Sequence, residues 1–66
     1  MLRLAIERKK RGWTQFELAR LTNIHPSDLS QLERGLKYPY PGWKKSLVKA
    51  LNVPADELFK EAIENE

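Results

Sequence analysis

Thr14-Gln15-Phe16-Glu17-Leu18-Ala19-Arg20-Leu21-Thr22-Asn23-Ile24-His25-Pro26-Ser27-Asp28-Leu29-Ser30-Gln31-Leu32-Glu33-Arg34-Gly35 is the stretch that decides the architecture. It reads as two short helices, Thr14 to Leu21 and Pro26 to Arg34, joined by a tight turn. Thr14 and Glu17 stand at capping-box spacing, so the Thr hydroxyl accepts from the Glu17 N–H while the carboxylate reaches back to Thr14. Leu18 and Ala19 then turn toward a core. Asn23 tolerates the left-handed conformation that ends a helix. Ile24 re-enters the core, and Pro26 suits the first turn of the next helix. Leu29 and Leu32 give that helix one apolar edge, and Gly35 ends it.

Outward from this stretch, three more helices are expected. Residues 1–11 form helix 1, with Met1, Leu4, Ala5 and Arg8 on one side and Leu2 and Ile6 as a second apolar pair. Lys9, Lys10 and Arg11 suit the C-terminal end of its dipole. Gly12 makes the turn, and Trp13 covers the edge between helices 1 and 2. Helix 4, about residues 42–51, carries Trp43, Leu47, Ala50 and Leu51 at the spacing of a buried stripe, widened by Val48. Helix 5 is expected over 54–63, with Leu58 in the core and Phe59 and Ile63 four residues apart. That pair exceeds what so small a core buries, and either marks a candidate dimer surface or belongs to a helix end folded back on helix 1. The fold class is therefore all-α: one compact five-helix domain over 1–66 with a helix-turn-helix at helices 2 and 3.

Composition narrows the function. Sixty-six residues hold one modest core. There is no cysteine, so no disulfide or thiolate–zinc site is expected. No apolar run approaches the ~20 residues that span a bilayer. Arg3 and Glu7 interrupt any signal-peptide pattern, so a soluble, cytoplasmic protein is expected. With one histidine and no carboxylate pair of catalytic geometry, neither an enzyme nor a cofactor is expected. Residues 1–49 carry 11 Lys/Arg against 4 Asp/Glu, while residues 50–66 carry 1 against 5. A basic body with an acidic tail suits a polyanionic partner, because Lys and Arg contacts to phosphates release counterions.

The wording of the chain also resembles a family. Gly12-Trp13-Thr14-Gln15, Glu17-Leu18-Ala19, Asn23-Ile24, Leu29, Leu32-Glu33-Arg34-Gly35 and Pro39 are similar to the Cro-like, or xenobiotic-response-element, helix-turn-helix family of phage repressors. Arg8 before them, and Ala50-Leu51-Asn52-Val53 and Leu58 after them, extend the likeness over most of the chain. The resemblance implies a partly buried ion pair between Arg8 and Glu33, holding helix 1 to helix 3. It implies that Gln15 meets the DNA backbone. It also implies that His25, Pro26, Ser27, Ser30 and Gln31 face outward on helix 3, with Arg34 at its end.

Several residues depart from the family pattern. Phe16 replaces a polar residue, His25 stands where a Ser or Thr cap is usual, and Pro26 fills a slot where relatives often carry a polar base reader. Asp28 lies in the first turn of helix 3, where a carboxylate favours the dipole and serves as a cap partner. Lys37 and Arg34 are candidate phosphate ligands. The aromatic loop Tyr38-Pro39-Tyr40-Pro41-Gly42 either borders the DNA backbone or packs on Trp43. The function implied is a sequence-specific, double-stranded-DNA-binding transcriptional regulator, a repressor, working as a homodimer. The alternatives are an antitoxin with a protein partner, suggested by apolar Phe16, Leu36 and Phe59, or a protein-interaction module that has lost DNA binding.

Overall fold

A computed structural model describes residues 2–61. Its helices are α1 (Arg3–Lys10), α2 (Gln15–Thr22), α3 (Pro26–Glu33), α4 (Pro41–Leu51) and α5 (Ala55–Leu58). Helix α2 packs on both α3 and α4, α1 packs on α3 and α5, and α5 closes against α4. Each helix contributes leucine to one core: Leu4, Leu18, Leu29, Leu32, Leu47, Leu51 and Leu58 are all fully buried. Trp13, Trp43, Val48, Ala50, Val53 and Phe59 pack around them, half-buried.

The ends of the helices follow local chemistry. Thr14 caps α2 through its hydroxyl, 3.1 Å from the Glu17 N–H, and the Glu17 carboxylate accepts from the Thr14 N–H at 2.7 Å. Asn23 and Asn52 end α2 and α4 in the left-handed conformation, at φ 60° and 58°. Gly12 and Gly35 do the same after α1 and α3, at φ 72° and 74°. Both glycines close the same hydrogen-bonded motif. Gly12 N–H donates to the Lys9 carbonyl and Trp13 N–H to that of Arg8; Gly35 N–H donates to Leu32 and Leu36 N–H to Gln31. This pairing satisfies the last carbonyls of a helix and needs a residue that adopts positive φ without strain.

The final helix differs from the sequence expectation. Helix α5 stops at Leu58 instead of running toward residue 63. The reason lies at the other end of the chain. The first N–H groups of a helix lack partners within it, and Arg3 N–H takes the Lys60 carbonyl at 2.8 Å while Leu2 pairs antiparallel with Glu61. The segment after Leu58 is thereby drawn out of the helix and alongside the start of α1. Phe59 packs against the core and is half-buried. Ile63, its expected companion on a dimer surface, lies outside the described residues, as do Met1 and the end of the expected helix 5.

Gly35→Ala tests the left-handed turn behind α3. A Cβ there meets no atom within 4 Å, so its cost is backbone strain alone, about 1–2 kcal/mol. Urea unfolding followed by circular dichroism is expected to show a lower midpoint at unchanged slope.

Candidate nucleic-acid interface

Helix α3 has two faces because its residues recur every 3.6 positions. Leu29, Leu32 and Glu33 point inward. Opposite them, Ser27, Ser30, Gln31 and Arg34 stand three or four residues apart and so share an outer edge. Ser27 and Arg34 are exposed, and Ser30, Gln31 and Pro26 are half-exposed. The Gln31 amide has no hydrogen-bond partner among the described residues. Arg34 leans back on its own helix, with Nε 3.4 Å from the Ser30 carbonyl, and its two terminal amino groups have no partner among the described residues.

The inner end of α3 is clamped. Arg8 Nε donates to Glu33 Oε2 at 2.7 Å and Nη2 donates to Oε1 at 3.1 Å, a two-pronged fork. The third arm, Nη1, donates to the Trp13 carbonyl at 2.7 Å. Arg8 and Glu33 are only 9% and 5% exposed, so this pair is shielded from water. Gln15 completes the cluster, its amide donating to Glu33 Oε1 at 3.0 Å. This contact was not legible in the sequence, where Gln15 reads as a backbone-facing residue. One of its two amide N–H groups is committed inward, and the other remains at the first turn of α2.

His25 caps α3. Its Nδ1 accepts from the Ser27 N–H at 3.2 Å, the place that a Ser or Thr oxygen ordinarily fills. Asp28, expected to support that cap, forms an ion pair with Lys37 at 3.1 Å instead. Lys37 also lies 6.0 Å from the Trp43 ring centre. Its charge is therefore partly offset. The loop aromatics pack edge to face, Tyr38 on Tyr40 at 5.4 Å and Tyr40 on Trp43 at 5.1 Å. Even so, Tyr38 and Tyr40 remain more than half exposed.

Other cations divide into bound and free. Glu7, buried at 7% exposure, takes Arg11 at 2.9 Å and Arg3 and Lys10 at 3.5 Å each. The hydrogen bond from Arg11 holds the Glu7 carboxyl below its usual pKa, against the opposing effect of burial and with help from the charges of Lys10 and Arg11 and a bond from Arg3. Arg11 also donates to the Leu51 carbonyl at 2.6 Å, closing the end of α4. By contrast, the charged ends of Arg20, Lys44, Lys45 and Lys49 have no partner among the described residues. Arg20 is the functional candidate that sequence reading missed. It shares a shallow hollow with Asn23, His25 and Pro26 at the start of α3. Its signal in the sequence was only its place on α2, one turn beyond exposed Phe16.

Among the described residues no group of His, Cys, Asp or Glu is arranged to hold a metal ion. No helix there is long and apolar enough to cross a membrane. What remains is two packed helices with an outward polar edge on the second. That geometry defines a class, and the comparison of sequences gives the family: residues 2–59 match the helix-turn-helix domain model, and the chain belongs to that family. A particular relative is the competence pilus inhibition repressor of Acinetobacter baylyi, 36% identical over 52 residues. The matched region is 79% of this chain and 47% of that protein, so the chain spans about half the length of the curated relative it matches. No solved structure matches the chain.

Two measurements test this arrangement. Arg8→Ala or Glu33→Ala is expected to cost about 3–5 kcal/mol of unfolding free energy by stranding a buried charge. Replacing both by leucine is expected to cost less than either single change. The second measurement concerns pH. Because folding lowers the Glu7 pKa, its contribution is present above the unfolded carboxylate value of about 4.3 and is lost as pH falls through the folded value. Glu7→Gln should therefore flatten the acid limb of a stability-against-pH curve; an acid limb as steep as that of the parent would contradict it.

Proposed function

We propose that this chain is a sequence-specific, double-stranded-DNA-binding transcriptional regulator, a repressor, that reads the major groove with α3 as a homodimer. The observation that carries this reading is the outward edge of Ser27, Ser30, Gln31 and Arg34, on a helix whose other face is clamped through Glu33. A clamped helix presents its side chains at a set angle, and α3 lies in the groove while α2 crosses the backbone. The Gln31 amide offers a donor and an acceptor side by side, the pattern that pairs with adenine. Arg20, Arg34, Lys44 and Lys45 serve as phosphate ligands, joined by the remaining amide N–H of Gln15. Strong base readers are few on this edge, so part of the preference rests on DNA shape.

Size supports the dimer. The longest dimension of the domain is 30 Å, whereas successive faces of the major groove stand about 34 Å apart. One chain reaches one half-site, and two copies read a palindrome. The repressor name of the Acinetobacter relative supports repression as the direction of control. One observation favours a second reading. Phe16 is 75% exposed and Leu36 67% exposed, which suits a protein partner, as in an antitoxin or an interaction module.

Selection of bound duplexes from a random pool, at moderate salt, separates the two. A recurring palindromic site supports the repressor, and failure to enrich any sequence favours the protein-partner reading. On the selected site, Gln31→Ala is expected to lower affinity by about tenfold and to leave affinity for random DNA unchanged. Arg20→Ala is expected to weaken all sequences alike and to reduce the salt slope by about one. Lys37→Ala should change that slope less, since Asp28 already offsets the charge.

A further inference from the structure

We propose that His25 is a specificity-determining residue whose hydrogen-bonding polarity is set by the helix it caps: it offers a fixed Nε2–H donor to the N7 acceptor of a purine. This rests on α3 lying in the major groove. The reasoning begins with a proton count. The Ser27 backbone N–H has only a proton to give, so the His25 Nδ1 that faces it at 3.2 Å holds a lone pair. Ser27 Oγ lies 2.9 Å from the same nitrogen, a contact that either tautomer can make; with Nδ1 accepting from the backbone N–H, the hydroxyl is the donor in it. In a neutral imidazole with Nδ1 accepting, the ring proton sits on Nε2. That nitrogen has no partner among the described residues, and the ring is exposed.

A Ser, Thr or Asp cap turns its oxygen back to the helix and extends no N–H donor beyond it. Histidine is different because its two nitrogens lie on opposite sides of the ring. Bonding one to the helix aims the other away from it. The cap therefore converts a side chain with two tautomers into a donor of known direction. The position suits a groove reader, since His25 immediately precedes α3 and borders the hollow that holds Arg20. Purine N7 is the major-groove acceptor that adenine and guanine share. A single donor there selects purine over pyrimidine without separating the two purines.

The test uses the full chain and the duplex it selects from a random pool. Each purine in turn is replaced by its 7-deaza analogue, and binding is followed by fluorescence anisotropy. One purine per half-site is expected at which the analogue weakens the parent protein about five- to tenfold, the effect of one lost hydrogen bond. His25→Ser keeps a good cap, so its melting temperature should stay near that of the parent, but it has no outward N–H. It is expected to bind the unmodified duplex five- to tenfold more weakly and to be insensitive to the analogue. His25→Asn, which keeps both a cap acceptor and an outward N–H, should recover part of the loss. The proposal is overturned if His25→Ser binds as tightly as the parent, or if it responds to every analogue as the parent does. A uniform loss on all sequences, with no sensitive purine, also overturns it and assigns His25 to a phosphate. Failure to select any duplex removes the DNA-binding reading itself, a result distinct from these.

Discussion

Arg8 carries its guanidinium into the interior, and there the orientation of α3 is decided. All three arms of the group are engaged, two on the Glu33 carboxylate and one on the Trp13 carbonyl. Glu33 in turn accepts from Gln15, and its backbone carbonyl receives the Leu2 N–H at 3.4 Å. Removing two charges from water costs several kcal/mol per ion unless hydrogen bonds replace the lost hydration. Here they do, and the partners come from α1, α2 and the N-terminal segment at once. The leucine core supplies most of the cohesion, but apolar burial is non-directional. A two-pronged fork is directional, so it fixes the angle at which the opposite face of α3 meets the outside.

The same accounting changes the meaning of the basic composition. Three acidic residues hold five cations: Glu33 takes Arg8, Asp28 takes Lys37, and Glu7 gathers Arg3, Lys10 and Arg11. These cations stabilise the domain, and because three of them share the one Glu7 carboxylate, positive charge remains there uncompensated. Cations with no acidic partner among the described residues include Arg20 on α2, Arg34 at the end of α3, and Lys44, Lys45 and Lys49 on α4. Helix α4 begins without an acidic residue in its first turn and with Lys44 and Lys45 close behind. Its dipole is therefore reinforced in the positive sense, a poor arrangement for an isolated helix and a good one beside phosphate.

The departures from the family pattern acquire physical roles. His25 performs the capping for which a Ser or Thr is usual, and Asp28 turns to Lys37, whose ammonium lies over the Trp43 ring. Of the two readings that the sequence allowed for the aromatic loop, the packing on Trp43 is present. Tyr40 packs on Trp43, and Tyr38 packs on Tyr40 while both tyrosines stay largely open. Phe16 has no such role. It stands at the start of α2 with 75% of its surface exposed.

Much of the fold was legible from spacing because the forces involved are local. A capping box needs three residues of separation, a left-handed stop needs Asn or Gly, and an amphipathic edge needs a period near four. Thr14, Asn23, Pro26, Gly35 and the leucines therefore placed α2, the turn and α3 to within a residue. The outward positions Ser27, Ser30, Gln31 and Arg34 came from the resemblance to the family; spacing alone put Ser27 and Gln31 on one face. Tertiary structure decided what spacing cannot encode. Gln15 meets Glu33 from 18 residues away, and Arg11 meets the Leu51 carbonyl from 40. The short α5 depends on the Arg3 N–H at the start of α1, which takes the Lys60 carbonyl. Such partnerships arise only once the helices have packed at particular angles, and a one-dimensional pattern carries no angle.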